Sequence, residues 1–226
     1  MKKPSATPRM REYLHRIERI LVPLWPDARP LLHSSSCFEL LCAVILSAQT
    51  TDEQVNKVTG PLFAAYPTPE AMALAKPENL EVLIGSLGFY RVKARHLIGT
   101  AKRLVQHFDS KVPSSMEGLL SLSGVGRKTA NLVISACFGE PGIIVDTHVS
   151  RVVYRLGIHE SRNPEEIEEL IAFSMDPASR TAFSHALNRH GKYTCSARAP
   201  ACRSGGTCPL ESLCPKEGLK PARGNP

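Results

Sequence analysis

Four cysteines, Cys195, Cys202, Cys208 and Cys214, fall within twenty residues near the C-terminus, spaced Cys-x6-Cys-x5-Cys-x5-Cys. Four thiolates are the ligand count of a cubane iron–sulfur cluster. Structural zinc is the competing reading, but it commonly uses closely paired Cys-x2-Cys units, and this chain has none. A degenerate site without metal is a third. The N-terminus, Met1-Lys2-Lys3-Pro4, is basic and lacks the apolar stretch of a secretory signal, so the clustering points to metal rather than to disulfides. The remaining cysteines, Cys37, Cys42 and Cys137, lie singly in apolar stretches and read as small core residues.

A second segment with chemical content is Leu122-Ser-Gly-Val-Gly-Arg-Lys-Thr-Ala-Asn131. Gly124 and Gly126, one residue apart, make a turn too tight for side chains, and a helix follows at once. Backbone N–H groups at such a turn converge and can hold one phosphate. The segment reads as a helix–hairpin–helix, a phosphate grip indifferent to base sequence. An ordinary glycine turn is the bland alternative, with Lys128 as a phosphate-binding lysine. Further on, Asp146 follows the apolar run Pro141-Gly-Ile-Ile-Val145 and precedes a helix, which suits an N-cap.

The elements that must carry these residues are helices, and no segment alternates as a strand. Residues 10–24 place Leu14, Ile17, Ile20, Leu21 and Leu24 on one face. Residues 38–47 are apolar almost all round and predict a buried helix. Thr51-Asp-Glu-Gln54 opens the next helix as a capping box, which ends near Tyr66. Thr68-Pro69-Glu70 and Asn163-Pro164-Glu165 each set a cap before a proline at the first helical position. Residues 91–108 predict a long helix, basic on its exposed side. Residues 116–120 and 127–138 flank the tight segment 121–126, and 147–156, 167–174 and 180–190 predict three more. The fold class is all-α, about ten short helices with short turns. Residues 216–226 are polar and proline-bearing, and are expected to fray.

The chain has 226 residues, enough for one large domain or two small lobes, and its 42% hydrophobic content excludes wholesale disorder. No apolar run is long enough to span a membrane; the longest, near residues 38–46, is interrupted by Glu39. A cytoplasmic protein is expected. The net charge of +7 and pI near 9.1 favour contact with phosphate backbones, a modest indication by itself.

Four strings, in order, resemble the endonuclease III family, within the larger group of helix–hairpin–helix glycosylases. They are Leu46-Ser-Ala-Gln49-Thr-Thr-Asp52, the hairpin string 122–131, Val145-Asp146-Thr-His148-Val and His190-Gly-Lys-Tyr-Thr-Cys195. The resemblance covers about residues 35–214. It implies a bifunctional DNA glycosylase and abasic-site lyase that removes oxidised pyrimidines from double-stranded DNA, acting as a monomer at the nucleoid. It implies that Lys128 is the nucleophile, forming a Schiff base that permits β-elimination. A lysine amine must be neutral to attack. The helix N-terminus, the adjacent Arg127 and partial burial are each expected to disfavour its ammonium form. Asp146 is implied to stabilise the oxocarbenium-like sugar and to help activate the lysine.

The same resemblance implies a [4Fe-4S] cluster on the four cysteines. The family pattern has two residues between the second and third cysteines, whereas this chain has Arg203-Ser-Gly-Gly-Thr207. The cluster is expected to be structural, tying down a loop with Lys192, Arg198 and Arg203 available to phosphates. Base extrusion leaves a hole in the duplex. Gln49 is implied to fill it, and Phe89 of Leu87-Gly-Phe89-Tyr90 to act as a second wedge where relatives often have leucine. A core contact is the alternative for Phe89; His148 could meet a phosphate or simply pack.

Two rivals remain on sequence. A monofunctional adenine-mismatch-type glycosylase lacks the lysine at this position and carries an extra C-terminal domain. A non-catalytic helix–hairpin–helix DNA-binding protein needs neither Lys128 nor Asp146. The resemblance further implies a six-helix lobe over 35–142 and an iron–sulfur lobe from 1–34 and 143–226, with the chemistry in a cleft between them.

Overall fold

The computed structural model describes residues 7–26 and 32–219; the N-terminal Met1-Lys2-Lys3-Pro4 and residues 220–226 of the expected frayed end lie outside these. Eleven α-helices and two 3-10 turns make up the regular structure of the described residues, with no strand. The chain divides into two compact units, Pro30–Glu140 and the combination of Met1–Arg29 with Pro141–Pro226.

The first unit holds seven helices: α2 (Cys37–Leu46), α3 (Asp52–Ala65), α4 (Pro69–Ala73), α5 (Pro77–Ile84), α6 (Tyr90–His107), α7 (Met116–Leu120) and α8 (Arg127–Phe138). That is one more than the six expected. The addition is α5, whose N-cap Lys76 makes no side-chain capping bond. Elsewhere caps set the boundaries: Ser36 accepts from Glu39, Thr51 from Gln54, Thr68 from Ala71 and Ser115 from Gly118. Helix α2 is central. Every residue from Leu40 to Leu46 is buried, and the core also includes Leu62, Met72, Leu80, Ile84, Leu97, Leu104 and Val133. Each such side chain contributes about 1.5–3 kcal/mol by leaving water.

Cys42 belongs to this core. Cys37 and Cys137 do not match the expectation of lone core residues. They are half-buried and joined in a disulfide across a separation of 100 residues, linking the start of α2 to the end of α8, with Cα atoms 5.6 Å apart. Sequence spacing alone could not place the two helix ends side by side.

The second unit holds α1 (Pro8–Leu21), α9 (Thr147–Arg155), α10 (Pro164–Ser174) and α11 (Pro177–Tyr193), followed by the cysteine segment. Leu14, Ile17 and Leu21 of α1 are fully buried in a core with Val149, Val153, Ile167, Ile171, Phe183 and Leu187. Leu24, placed on the same face by its spacing, is instead 52% exposed. The helix ends at Leu21, and the 3-10 turn Val22–Leu24, with Pro23 in it, rotates Leu24 out of the helical register.

Candidate active site and cysteine loop

In the first unit, the hairpin runs from the end of α7 to Gly126, the N-cap of α8. Leu122 and Val125 anchor it in the core. Helix α6 seats it from beneath: Thr100 Oγ1 donates to the Ser123 carbonyl at 2.7 Å. Gly124 has φ +76°, and a Cβ there would lie 2.6 Å from His96 Nδ1, so both backbone and packing require glycine. Gly126 differs, since a Cβ there would meet nothing within 4 Å. Its bare face is therefore not demanded by the unit's own packing. Helix α8 starts without a side-chain cap, leaving its first turn as a place for an anion.

Lys128 is the second residue of α8 and is exposed; the partial burial expected for it is not found.

Gln49 and Phe89 share an unusual backbone. Both are non-glycine residues in the left-handed region, at φ 55° and 59°. Such conformations cost roughly 1–2 kcal/mol and persist where surroundings enforce them. Gln49 is exposed, and Phe89, the N-cap of α6, is 67% exposed. The alternative of Phe89 as a core contact is thereby excluded.

In the second unit, Asp146 is the N-cap of α9, as its place in the sequence suggests. Its Oδ1 accepts from the backbone N–H groups of His148 and Val149, each at 2.9 Å. Its Oδ2 accepts from Asn188 Nδ2 on α11 at 2.7 Å. Three donors therefore fix the carboxylate's orientation. Asn188 was not singled out by sequence, since its partner lies 42 residues away. His148 packs its Cβ against Gly191, where an added Cβ would come within 2.9 Å, and its Nδ1 lies 3.1 Å from Arg151 Nη2. Lys192 and Arg198 are exposed, with Lys192 Nζ over the Tyr193 ring.

All four cysteines of the C-terminal segment are unpaired, half-buried and line one cavity, together with Arg155, His190 and Leu210. Burial pushes the Cys208 and Cys214 thiols up, and the neighbouring cysteine thiols push the same way. Among the described residues no group of three or more His, Cys, Asp or Glu side chains is set to hold a metal ion. The insertion between Cys202 and Cys208 folds back on the 3-10 turn Ala201–Arg203, with Gly206 N–H donating to Ala201 O at 3.0 Å and Gly205 at φ +78°.

Two arginines of α9 hold this segment, and neither was anticipated. Arg155 is 7% exposed. Its Nη1 donates to Cys195 O and Sγ, each at 3.2 Å, and to Ser196 O at 2.7 Å, and its Nη2 to Ala197 O at 3.0 Å. Arg151 donates to Cys195 O at 3.1 Å and to Gly191 O at 2.7 Å. The signal available in sequence was the spacing of two arginines on one helix flanked by valines, which does not by itself distinguish a buried clamp from a surface face.

A glycine hairpin that leads straight into a helix, within an all-helical fold, is the architecture of helix–hairpin–helix proteins. The family model of the HhH-GPD superfamily base excision DNA repair proteins matches residues 42–175. Among curated relatives, the chain is 44% identical to endonuclease III of Synechocystis over 197 residues, covering 87% of this chain and 89% of that one. It is 42% identical to endonuclease III of Escherichia coli K12 over 189 residues, covering 84% and 88%. Among solved structures, it is similar to a trapped endonuclease III–DNA covalent intermediate, at 39% identity and a TM-score of 0.84, covering 91% of this chain and 96% of that one. The chain belongs to the endonuclease III family of the HhH-GPD superfamily.

Proposed function

We infer that this chain is a bifunctional base excision repair enzyme, a DNA N-glycosylase and abasic-site lyase, acting on oxidised pyrimidines in double-stranded DNA. One observation carries the lyase half: Lys128 stands exposed in the first turn of the uncapped helix behind the hairpin, in a chain of this family. A non-catalytic DNA-binding relative has no need of an amine there, and the monofunctional glycosylase type lacks it.

The chemistry follows from the residues. The neutral Lys128 amine forms a bond to the sugar C1′ as the bond from C1′ to the base breaks. The base leaves with the electron pair and takes up a proton. Positive charge builds on the sugar during that step, and the Asp146 carboxylate opposes it electrostatically. Opening of the sugar ring gives a Schiff base on Lys128 Nζ. Loss of a C2′ proton then expels the 3′ phosphate, and water releases the lysine. Gly124 and Gly126 offer backbone N–H groups to a phosphate. Gln49 and Phe89 fill the space left by the extruded nucleotide. His148, Lys192 and Arg198 meet backbone phosphates, consistent with the net charge of +7.

Cys195, Cys202, Cys208 and Cys214 suit a [4Fe-4S] cluster. Four unpaired thiols around one cavity are a donor set that a multiply charged polynuclear cation would satisfy. A cubane spaces its thiolates more widely than a single tetrahedral ion does, so the lack of a tight ligand group does not count against it. When bound, the cluster supplies a rigid tie for residues 195–214. No helix among the described residues is long and apolar enough to cross a membrane. The activity itself, on double-stranded DNA, is what supports a cytoplasmic, nucleoid-associated location.

The test uses a duplex with one abasic site and borohydride, which reduces the Schiff base to a stable adduct. Wild type is expected to give the adduct and Lys128→Ala none. Asp146→Asn should fold normally, because asparagine caps as well as aspartate, yet slow base release by about 100-fold. An adduct that persists in Lys128→Ala would overturn the assignment of the nucleophile. Purified protein should be brown; a colourless protein holding zinc would overturn the cofactor.

A further inference from the structure

Lys93 is a lysine that the mechanism above does not use, and it is only 4% exposed. It lies in the first turn of α6, where its backbone N–H donates to Phe89 O at 3.0 Å. Its Nζ reaches the loop before α3 and donates to Thr50 Oγ1 at 2.6 Å. The Thr50 hydroxyl in turn donates to Ala48 O at 3.3 Å, and Thr50 N–H donates to Ser47 O at 3.1 Å. These bonds bracket Gln49 on both sides.

We propose that Lys93 is a positioning residue that sets the two void-filling side chains in register, holding the loop of Gln49 through Thr50 while closing the first helical turn on Phe89. The proposal rests on the reading of Gln49 and Phe89 as the groups that occupy the emptied duplex.

Three observations support it. Both candidate residues have left-handed backbones, which need an external constraint, and one residue bonds beside both, through its side chain at Thr50 and through its backbone N–H at Phe89. A buried ammonium is costly to maintain, and burial lowers the Lys93 pKa, so a plain packing role would be served better by leucine or methionine. And the same helix meets the hairpin at Thr100 and His96, begins at Phe89 and reaches the Gln49 loop through Lys93, so one rigid element links the phosphate grip to both void fillers.

The experiment measures binding of the intact, cluster-loaded protein to duplexes that carry a stable tetrahydrofuran abasic analogue opposite each of the four bases. Lys93→Met and Gln49→Ala are each expected to weaken binding about tenfold and to flatten discrimination among opposing bases. The double variant should be no worse than either single, the signature of one pathway. At saturating abasic DNA the borohydride adduct should form at near wild-type rate in Lys93→Met, so that KM rises and kcat does not. Thr50→Val should reproduce the defect, and Thr50→Ser, which keeps the hydroxyl, should rescue it.

Multiplying effects of Lys93→Met and Gln49→Ala, or a fall in kcat with unchanged discrimination, would overturn the proposal. Should Lys93→Met fail to fold, Thr50→Val paired with Gln49→Ala decides by the same additivity criterion. If Gln49→Ala alone leaves binding unchanged, the reading of Gln49 falls and the register role with it. If Gln49→Ala weakens binding and Lys93→Met does not, only the register role falls.

Discussion

In the unit Pro30–Glu140, the hairpin is seated by apolar side chains: Leu122 and Val125 enter a core continuous with α2, α6 and α8. In the other unit, the cysteine segment is held differently. Among the residues described between 195 and 219, only Pro200 and Leu210 bury apolar side chains. What takes the place of a core is a set of side-chain donors aimed at backbone carbonyls, from Arg151, Arg155 and Tyr13. Apolar packing fixes position by filling space and tolerates modest substitution. A segment held by a few charged donors and thiols depends on each of them. The two units should therefore respond to mutation in opposite ways: graded loss in the first, abrupt local loss in the second.

The largest effect is expected at Arg155. Its guanidinium satisfies three consecutive carbonyls and a thiol, and the side chain is almost fully buried. Arg155→Met keeps the stem and removes every one of those bonds. The expected cost is about 2–4 kcal/mol, since the part-buried Ser196 and Ala197 carbonyls lose this donor at once and Cys195 O keeps only Arg151. Limited proteolysis should cut within residues 195–214 while Pro30–Glu140 resists. Equal loss of protection in both units would break the contrast drawn between them.

The first unit has one covalent tie, and its removal sharpens the comparison. Reduction of the Cys37–Cys137 bond, or Cys37→Ser, opens a link across 100 residues. The expected loss is about 2–4 kcal/mol in denaturant unfolding followed by a probe in that unit. Borohydride trapping by Lys128 should persist, because the core that seats the hairpin stays in place. A thiol titration of the unfolded, unreduced protein should find Cys37 and Cys137 unreactive.

The helices were largely legible in sequence, since serine, threonine and asparagine caps and prolines at first helical positions are local signals with local causes. Helix α5 escaped because Lys76 offers no capping oxygen. Asp146 was legible twice over, as a cap and by its string. Its partner Asn188 was not, nor were the bonds from Arg155 to Cys195 or from Lys93 to Thr50, which span 40 and 43 residues. The disulfide escaped for the same reason. Periodicity reports which face of a helix is buried, and says nothing about which distant residue it meets. Leu24 shows the limit even of periodicity: a proline turned the chain before the pattern ended.

The smallest effect is expected at Tyr13, and it carries a pH signature. Its single hydroxyl proton is shared between Leu156 O at 2.8 Å and Leu213 O at 2.9 Å, tying α1 to the end of α9 and to the cysteine segment. Burial, helped by the nearby Cys214 thiol and opposed by Arg16, raises its pKa from 10.0 to about 12. A raised folded-state pKa means the protonated phenol is favoured by folding, so its contribution is complete below pH 10 and lost as pH climbs toward 12. Tyr13→Phe should cost about 1 kcal/mol at neutral pH, the worth of one partly buried hydrogen bond. The stability gap between wild type and Tyr13→Phe should close across that alkaline window, read by urea midpoints at successive pH values. A gap that stays constant to pH 12 would mean the hydroxyl is not what ties α1 to the cysteine segment, and the second unit would depend on fewer polar ties than the comparison requires.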